Sequence, residues 1–95
     1  MTEQQAADRV AAAALGHPSV LRLDGGAHGV IATPLPGRRV TGVRIRDEGT
    51  EIGVVLGLDR PLPEIVAELR AAAERAGAPG PVDITVVDVE QAGAR

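Results

Sequence analysis

The stretch DGGAHGVIATPLPGRRV, from Asp24 to Val40, holds residue types that often do chemistry: glycines, a histidine and a pair of arginines. Glycine-rich loops bind phosphate in the patterns G-x-x-x-x-G-K-[ST], or G-x-G-x-x-G where the last glycines open a helix. The chain has no lysine, the spacing in GGAHG fits neither pattern, and the residues that follow are typical of a strand. We therefore expect Gly25, Gly26 and Gly29 to be turn residues, and the stretch to hold no ligand or cofactor.

Metal ligands are scarce in the sequence. There is no cysteine, which excludes disulfides, iron–sulfur clusters and thiolate zinc sites. His28 has no second histidine or carboxylate pair at ligand spacing, so we expect an exposed loop residue. His17 stands just after the first predicted helix, where an imidazolium complements the helix dipole. These observations predict no metal site.

Catalytic nucleophiles and acid–base pairs are also not indicated. Ser19 is the only serine, and no G-x-S-x-G elbow surrounds it. Glu64, Glu68 and Glu74 lie on the solvent face of the second predicted helix, where paired carboxylates usually serve solvation rather than proton transfer. We therefore expect a protein that is not an enzyme.

A cluster of arginines is the remaining chemical signal. The cluster occupies residues 38–46 of a chain whose formal net charge is −3. Guanidinium groups match carboxylates and phosphates, so the cluster is either a partner-binding surface or a solvated strand face that discourages aggregation. Nucleic-acid binding is disfavoured by the net charge and by an aromatic content of 0%. The candidate partner-binding residues are Arg38, Arg39, Arg44, Arg46 and Val55.

The length predicts a single domain over residues 1–95, and the hydrophobic content of 44% favours a globular class. Because the aromatic content is 0%, we expect an aliphatic core. The N-terminus is acidic and polar, unlike a signal peptide, and no apolar run reaches the length of a membrane span. We therefore expect a cytoplasmic protein without direct membrane insertion.

Two helices are predicted. The first covers about residues 3–15, begins with a T-x-x-Q capping box at Thr2 and Gln5, and ends at Gly16. The second begins at Pro61 or Pro63 and ends at Gly77. Its apolar stripe has the i, i+3, i+4, i+7 spacing and comprises Leu62, Ile65, Val66, Leu69, Ala73 and Ala76.

Strands are predicted over Val20–Asp24 and Pro81–Val89, with a hairpin between them that turns at Asp47-Glu48-Gly49. The hairpin's core face comprises Val43, Ile45, Ile52, Val54, Leu56 and Leu58. Its opposite face comprises Arg44, Arg46, Glu51, Gly53 and Val55. No helix remains to cover this second face, so we expect a flat patch that water or another chain covers.

The element order α-β-β-β-α-β predicts an α+β two-layer sandwich, with a small mixed sheet of three to four strands and both helices on one face. The hairpin's second strand, the second helix and the last strand form a right-handed crossover. We expect the last strand to lie beside the Val43–Arg46 arm, antiparallel to it.

Three segments resemble the alkaline shock protein (envelope stress response) family, in its short actinobacterial-type form. They are DRVAAAALGHPSVLRLDGG, PLPGRRVTGVRIRDEGTEIGVVLGLDRPLPEIVAELRAAA and PVDITVVDV, and together they extend from Asp8 to Val89. The resemblance implies a small, non-enzymatic cytoplasmic α+β protein linked to envelope stress. It also implies self-assembly as a homo-oligomer, and recruitment to the membrane by a small anchor protein.

Two functions follow as competing hypotheses. The first is an interaction or scaffold module of the envelope stress response family. The second is a small α+β domain that binds a ligand or nucleic acid, with its arginine-rich strand against phosphate. A steep dependence of RNA or DNA binding on salt would favour the second.

Overall fold

Eight elements follow one another along residues 2–91, the part of the chain that the computed structural model describes. In chain order they are α1 (Glu3–Leu15), β1 (Val20–Leu23), β2 (Ala32–Leu35), β3 (Arg38–Thr41), β4 (Val43–Arg46), β5 (Gly49–Gly57), α2 (Leu62–Arg75) and β6 (Val82–Glu90). The α+β class and the predicted order of helices and main-sheet strands are confirmed. The hairpin β2–β3 is an additional element that the sequence patterns did not predict.

Helix α1 has the bounds that its end signals predict. The Thr2 hydroxyl accepts a hydrogen bond from the Gln5 N–H at 3.1 Å, and the Gln5 side chain accepts one from the Thr2 N–H at 3.0 Å. This reciprocal pair satisfies two N–H groups that the helix itself cannot bond. No helix within residues 2–91 is long and apolar enough to cross a membrane.

Strand β5 is the centre of the main sheet. On one edge it pairs with β6, in parallel, from Thr50 to Gly57 with one irregularity after Val54. On its other edge it pairs antiparallel with β4 through its first half and with β1 through its second half. The predicted place of the last strand, beside the Val43–Arg46 arm, is therefore wrong: β6 lies directly on β5. A strand buried on both faces, as β5 is, favours a central position with both edges paired.

The point where β1 and β4 meet on one edge of β5 depends on two glycines. The Asp24 N–H donates to the Gly53 C=O at 2.9 Å, and the Gly53 N–H donates to the Gly42 C=O at 2.9 Å. A Cβ on Gly42 would lie 2.6 Å from the Leu23 Cβ, and a Cβ on Gly53 would overlap the Asp24 carbonyl oxygen. Only glycine lets three backbone segments approach this closely.

The hydrophobic core lies between the sheet and both helices. Alternate residues of β5 point towards the helices, and aliphatic side chains of α1 and α2 pack against them. The buried residues of α1 are mostly alanines, whose small side chains allow the helix to approach the sheet closely. The largest fully buried members of this core are Val10, Val43, Ile52, Val54, Leu56, Ile65 and Leu69.

The additional hairpin β2–β3 turns at Pro36-Gly37, where Gly37 has a φ of 76°. This geometry suits a type II turn, with proline at its second position and glycine at its third. The hairpin is attached to the main sheet by the Thr33 hydroxyl, which donates to the Val43 C=O at 2.6 Å. Val40 belongs to the core, so one face of the hairpin extends the sandwich beyond β4.

We predict that Leu69→Ala lowers the free energy of unfolding by about 2–5 kcal/mol, the range for a buried leucine truncated to alanine. Leu69 is 1% exposed in the middle of the core. Urea denaturation followed by circular dichroism measures the change. We also expect Leu69→Asp to prevent folding, because it buries an unpaired charge.

Leu58→Ala is the matched control. Leu58 was expected on the core face but is 55% exposed, because β5 ends one residue earlier, at Gly57. Its truncation should change the free energy of unfolding by no more than about 0.5 kcal/mol. Equal effects at Leu58 and Leu69 would contradict this assignment of the core.

We predict that Gly53→Ala destabilises the fold by about 1–3 kcal/mol or more, the range for overpacking a filled site. The added methyl group overlaps backbone, which cannot move aside as a side chain can. Gly16→Ala serves as the control, since Gly16 has a helical φ of −74° and a Cβ there would make only ordinary contacts. Thermal denaturation of both variants tests the prediction, which fails if Gly53→Ala is as stable as Gly16→Ala.

Candidate functional site

The outer face of the main sheet, away from the helices, is partly covered by the glycine loop, residues 24–31. Gly26 and Gly29 have φ values of 82° and 67°, and the Gly26 N–H donates to the Asp24 carboxylate at 2.8 Å. These glycines turn the chain, as predicted. The loop ends on the buried Ile31, whose Cδ1 would lie 3.0 Å from a Cβ on Gly53. The loop therefore packs on the outer face of β5, where glycine leaves room for it.

The predicted open patch around Val55 is wrong, because Val55 is 1% exposed. Its neighbours across the sheet are Arg22 on β1 and Asp88 on β6. Arg22 and Glu90 flank β5 from its two edges, and their side chains meet in a hydrogen-bonded ion pair at 2.7 Å. This pair crosses the outer face of β5 next to Val55. Val55 therefore contributes to the interior and not to a contact surface.

An open groove does lie further along this face, between the hairpin β2–β3, strand β4 and the end of the glycine loop. Its volume is about 770 Å³. We call it the arginine groove, and it is lined by Gly29, Val30, Ala32, Pro34, Gly37, Arg38, Arg39 and Arg44. Three of the four predicted arginines thus share one groove, while Arg46 lies outside its lining.

Arg38 and Arg39 are already held by contacts within the chain. Both terminal nitrogens of Arg38 donate to the Asp8 carboxylate on α1, at 3.2 and 2.9 Å. These bonds hold the pKa of Asp8 below its usual value. Arg39 donates to the Gly29 C=O at 2.8 Å, which connects the hairpin to the glycine loop. Arg38 and Arg39 therefore fix the walls of the groove.

Arg44 is the arginine of the groove whose guanidinium is uncommitted. It lies half-buried on β4 opposite Glu51. The Glu51 carboxylate instead accepts a hydrogen bond from the Thr85 hydroxyl at 2.9 Å. Within residues 2–91, neither Arg44 nor Arg46 makes a side-chain hydrogen bond or an ion pair. A half-buried guanidinium without a partner is suited to bind an anionic group of another molecule, to which it donates hydrogen bonds.

A second polar cluster joins the end of α1 to α2. His17 has a side chain that is 8% exposed; its Nδ1 accepts from the Ser19 N–H at 3.0 Å, and its Nε2 bonds the Glu68 carboxylate at 2.7 Å. This pattern corresponds to a neutral imidazole with its proton on Nε2. The Ser19 hydroxyl donates to Asp59 at 2.9 Å and does not contact the imidazole. The cluster therefore lacks the serine–histidine contact that nucleophilic catalysis needs.

Arg60 completes this cluster. Its guanidinium donates to the Glu68 carboxylate from two nitrogens, one of them at 2.9 Å. Hydrogen bonds from Arg60, and secondarily from His17, lower the pKa of Glu68 to about 2. Sequence reasoning missed the cluster because His17 and Glu68 are 51 residues apart and no local pattern connects them. The cluster therefore connects the end of α1, through His17, to Glu68 in the middle of α2.

His28 is an exposed residue of the glycine loop, as expected. Among residues 2–91 there is no group of three or more histidine and carboxylate side chains that could hold a metal ion. No family model, curated protein or solved structure matches the chain. The resemblance to the alkaline shock protein family therefore stays a prediction.

We predict that Glu68→Gln reduces the loss of stability in acid. The pKa of Glu68 is about 2 in the folded chain, below its ordinary value of 4.5. The carboxylate therefore stabilises the fold fully above about pH 5, and this contribution is lost as the pH falls from there towards about 2. Free energies of unfolding measured across this range should fall less steeply in the variant than in the wild type.

Glu74→Gln is the control for this measurement. Glu74 is an exposed residue on the same helix and has no ion-pair partner within residues 2–91. The Glu74→Gln variant should keep the acid dependence of the wild type. Identical pH profiles for the Glu68 and Glu74 variants would show that the cluster does not stabilise the fold.

Proposed function

We propose that this protein is a non-enzymatic interaction module that binds an acidic segment of a partner protein in the arginine groove. One observation carries the proposal: a chain of net charge −3 gathers three arginines around one open groove, and leaves the guanidinium of Arg44 without a partner among residues 2–91. An acidic protein that concentrates positive charge in one place is suited to an acidic partner.

The chemistry of the groove fits a carboxylate. A guanidinium presents two parallel N–H donors to the two oxygens of a carboxylate, and Arg44 lies half-buried, where such a pair is only partly screened by water. Val30, which is 58% exposed on the groove wall, offers an apolar contact beside the charge. An arginine next to an apolar contact is a common centre of binding energy in protein interfaces.

The resemblance to the alkaline shock protein family supports an interaction module over an enzyme. It favours a scaffold in the cytoplasm that assembles with itself and that a small anchor protein recruits to the membrane during envelope stress. The groove then serves to recognise such a partner, and Arg38 and Arg39 hold its shape through Asp8 and Gly29. Electrostatic attraction would act mainly on the association rate and on the choice of partner.

A second candidate function is binding of phosphate or single-stranded nucleic acid by the same arginines, since guanidinium groups recognise phosphate as well as carboxylate. Proteins that bind single strands usually stack bases on aromatic side chains, and this chain has none. The absence of a stacking platform is the reason to rank this candidate second.

The test is an NMR titration of the ¹⁵N-labelled protein with two probes of equal length, a peptide of glutamates and a single-stranded RNA. We expect the peptide to shift the amide signals of Val30, Arg39 and Arg44. Arg44→Glu should abolish these shifts. Arg46→Glu is the matched control, because Arg46 lies on the same strand and the same face but outside the groove lining.

Shifts that arise with RNA alone and weaken steeply as salt is added would favour the second candidate. If the groove signals do not move with either probe, or if Arg44→Glu and Arg46→Glu behave alike, the groove is not the binding site and the arginines only solvate the surface.

A further inference from the structure

We propose that β6 pairs with β6 of a second copy of this chain, across a two-fold axis at Thr85. The strand has nine residues and is bonded to β5 along one edge. No strand within residues 2–91 pairs with its other edge. Proteins usually keep such edges short or cover them, because unpaired backbone groups recruit another strand.

The hydrogen bonds between β5 and β6 show which backbone groups of β6 are free to pair with another strand. The Thr50 N–H donates to the Pro81 C=O at 2.9 Å, so even-numbered residues of β5 bond to β6. Their register partners on β6 include Ile84 and Val86. In a parallel pair of strands, the two residues that flank a register-matched residue form the hydrogen bonds to the neighbouring strand. The N–H and C=O of the register-matched residue itself point to the opposite edge. The N–H and C=O groups of Ile84 and Val86 therefore point to the free edge.

The chain itself occupies both ends of this edge. At the beginning, the Arg70 Nε donates to the Val82 C=O at 3.0 Å. At the end, the Val89 N–H donates to the Asp88 carboxylate at 2.8 Å, just after an irregularity in the register. What remains open is the centre of the strand, with four backbone groups on two residues.

A second copy satisfies these four groups in one antiparallel register. The N–H and C=O of Ile84 form hydrogen bonds with the C=O and N–H of the partner's Val86. Val86 and the partner's Ile84 form the same pair of bonds, because the two-fold axis passes between Thr85 and the partner's Thr85. Asp83 then lies opposite the partner's Val87, so no two acidic residues face each other directly.

Charge complementarity in this register also selects a second copy as the occupant. Arg70 lies at Val82, and the antiparallel register brings Asp88 of the partner subunit to that end of the strand. Asp88 is exposed and forms no ion pair within residues 2–91. The two-fold axis repeats this contact, so one surface supplies both members of each pair.

This inference deepens the self-assembly named in the proposed function by assigning a surface to it, and it does not depend on binding in the arginine groove. The edge of β6 lies on the opposite side of β5 from β4 and the arginine groove. Failure of one proposal therefore leaves the other standing.

The first test uses Thr85→Cys, in a chain that otherwise contains no cysteine. In the proposed register Thr85 faces its copy in a pair without backbone bonds, where the Cα atoms are about 4.5 Å apart and a disulfide can form. Mild oxidation should give a covalent dimer. Thr41→Cys, on the exposed face of β3, is the control and should stay monomeric.

The second test uses Ile84→Pro, which removes a donor that points to the free edge and spares the ladder to β5. Sedimentation over a concentration series should show a dimer for the wild type and loss of the dimer for the variant, with circular dichroism verifying the fold. The cysteine test stands by itself if Ile84→Pro does not fold. A monomeric wild type, or equal cross-linking of the Thr85 and Thr41 variants, would overturn the proposal.

Discussion

Strand β5 is hydrogen-bonded along both edges and buried on both faces, and the remaining structure is organised around it. Its helix-facing side receives α1 and α2, while its outer side receives the glycine loop and the Arg22–Glu90 pair. Within residues 2–91, strands β1, β4 and β6 each pair in the main sheet with β5 alone. The main constraint is therefore space at Gly53, where a single added methyl group would meet backbone.

The aliphatic composition explains how the two layers fit. With no aromatic ring available, the core fills its volume with Leu, Ile and Val from β5 and α2 and with alanines from α1. Small side chains on one layer and branched side chains on the other permit close packing. Gly53 has the corresponding role on the outer face, because the absence of a Cβ lets the glycine loop approach β5.

Sequence patterns predicted the helices and the hairpin β4–β5 well, because caps, turns and periodicity are local. They misplaced β6, since no local pattern distinguishes the two strands that could have been its neighbour. They also misjudged Val55, whose cover comes from side chains of β1 and β6 far away in the sequence. The hairpin β2–β3 could have been found from Pro36-Gly37 between two short extended runs. The grouping of Arg38, Arg39 and Arg44 followed from their proximity in sequence, but the groove itself depends on Val30 and the glycine loop.

The shared edge of β5 also has a consequence for how the chain forms during synthesis. Residues are added from the N-terminus, so α1 and β1 are synthesised before β5, the main-sheet partner of β1. The β4–β5 hairpin is the first main-sheet unit whose two strands are neighbours in sequence. When it closes, the second half of β5 becomes available for pairing with β1. Strand β1 therefore stays without its main-sheet partner until β5 has been synthesised, whereas α1 already has its own capping box at Thr2 and Gln5.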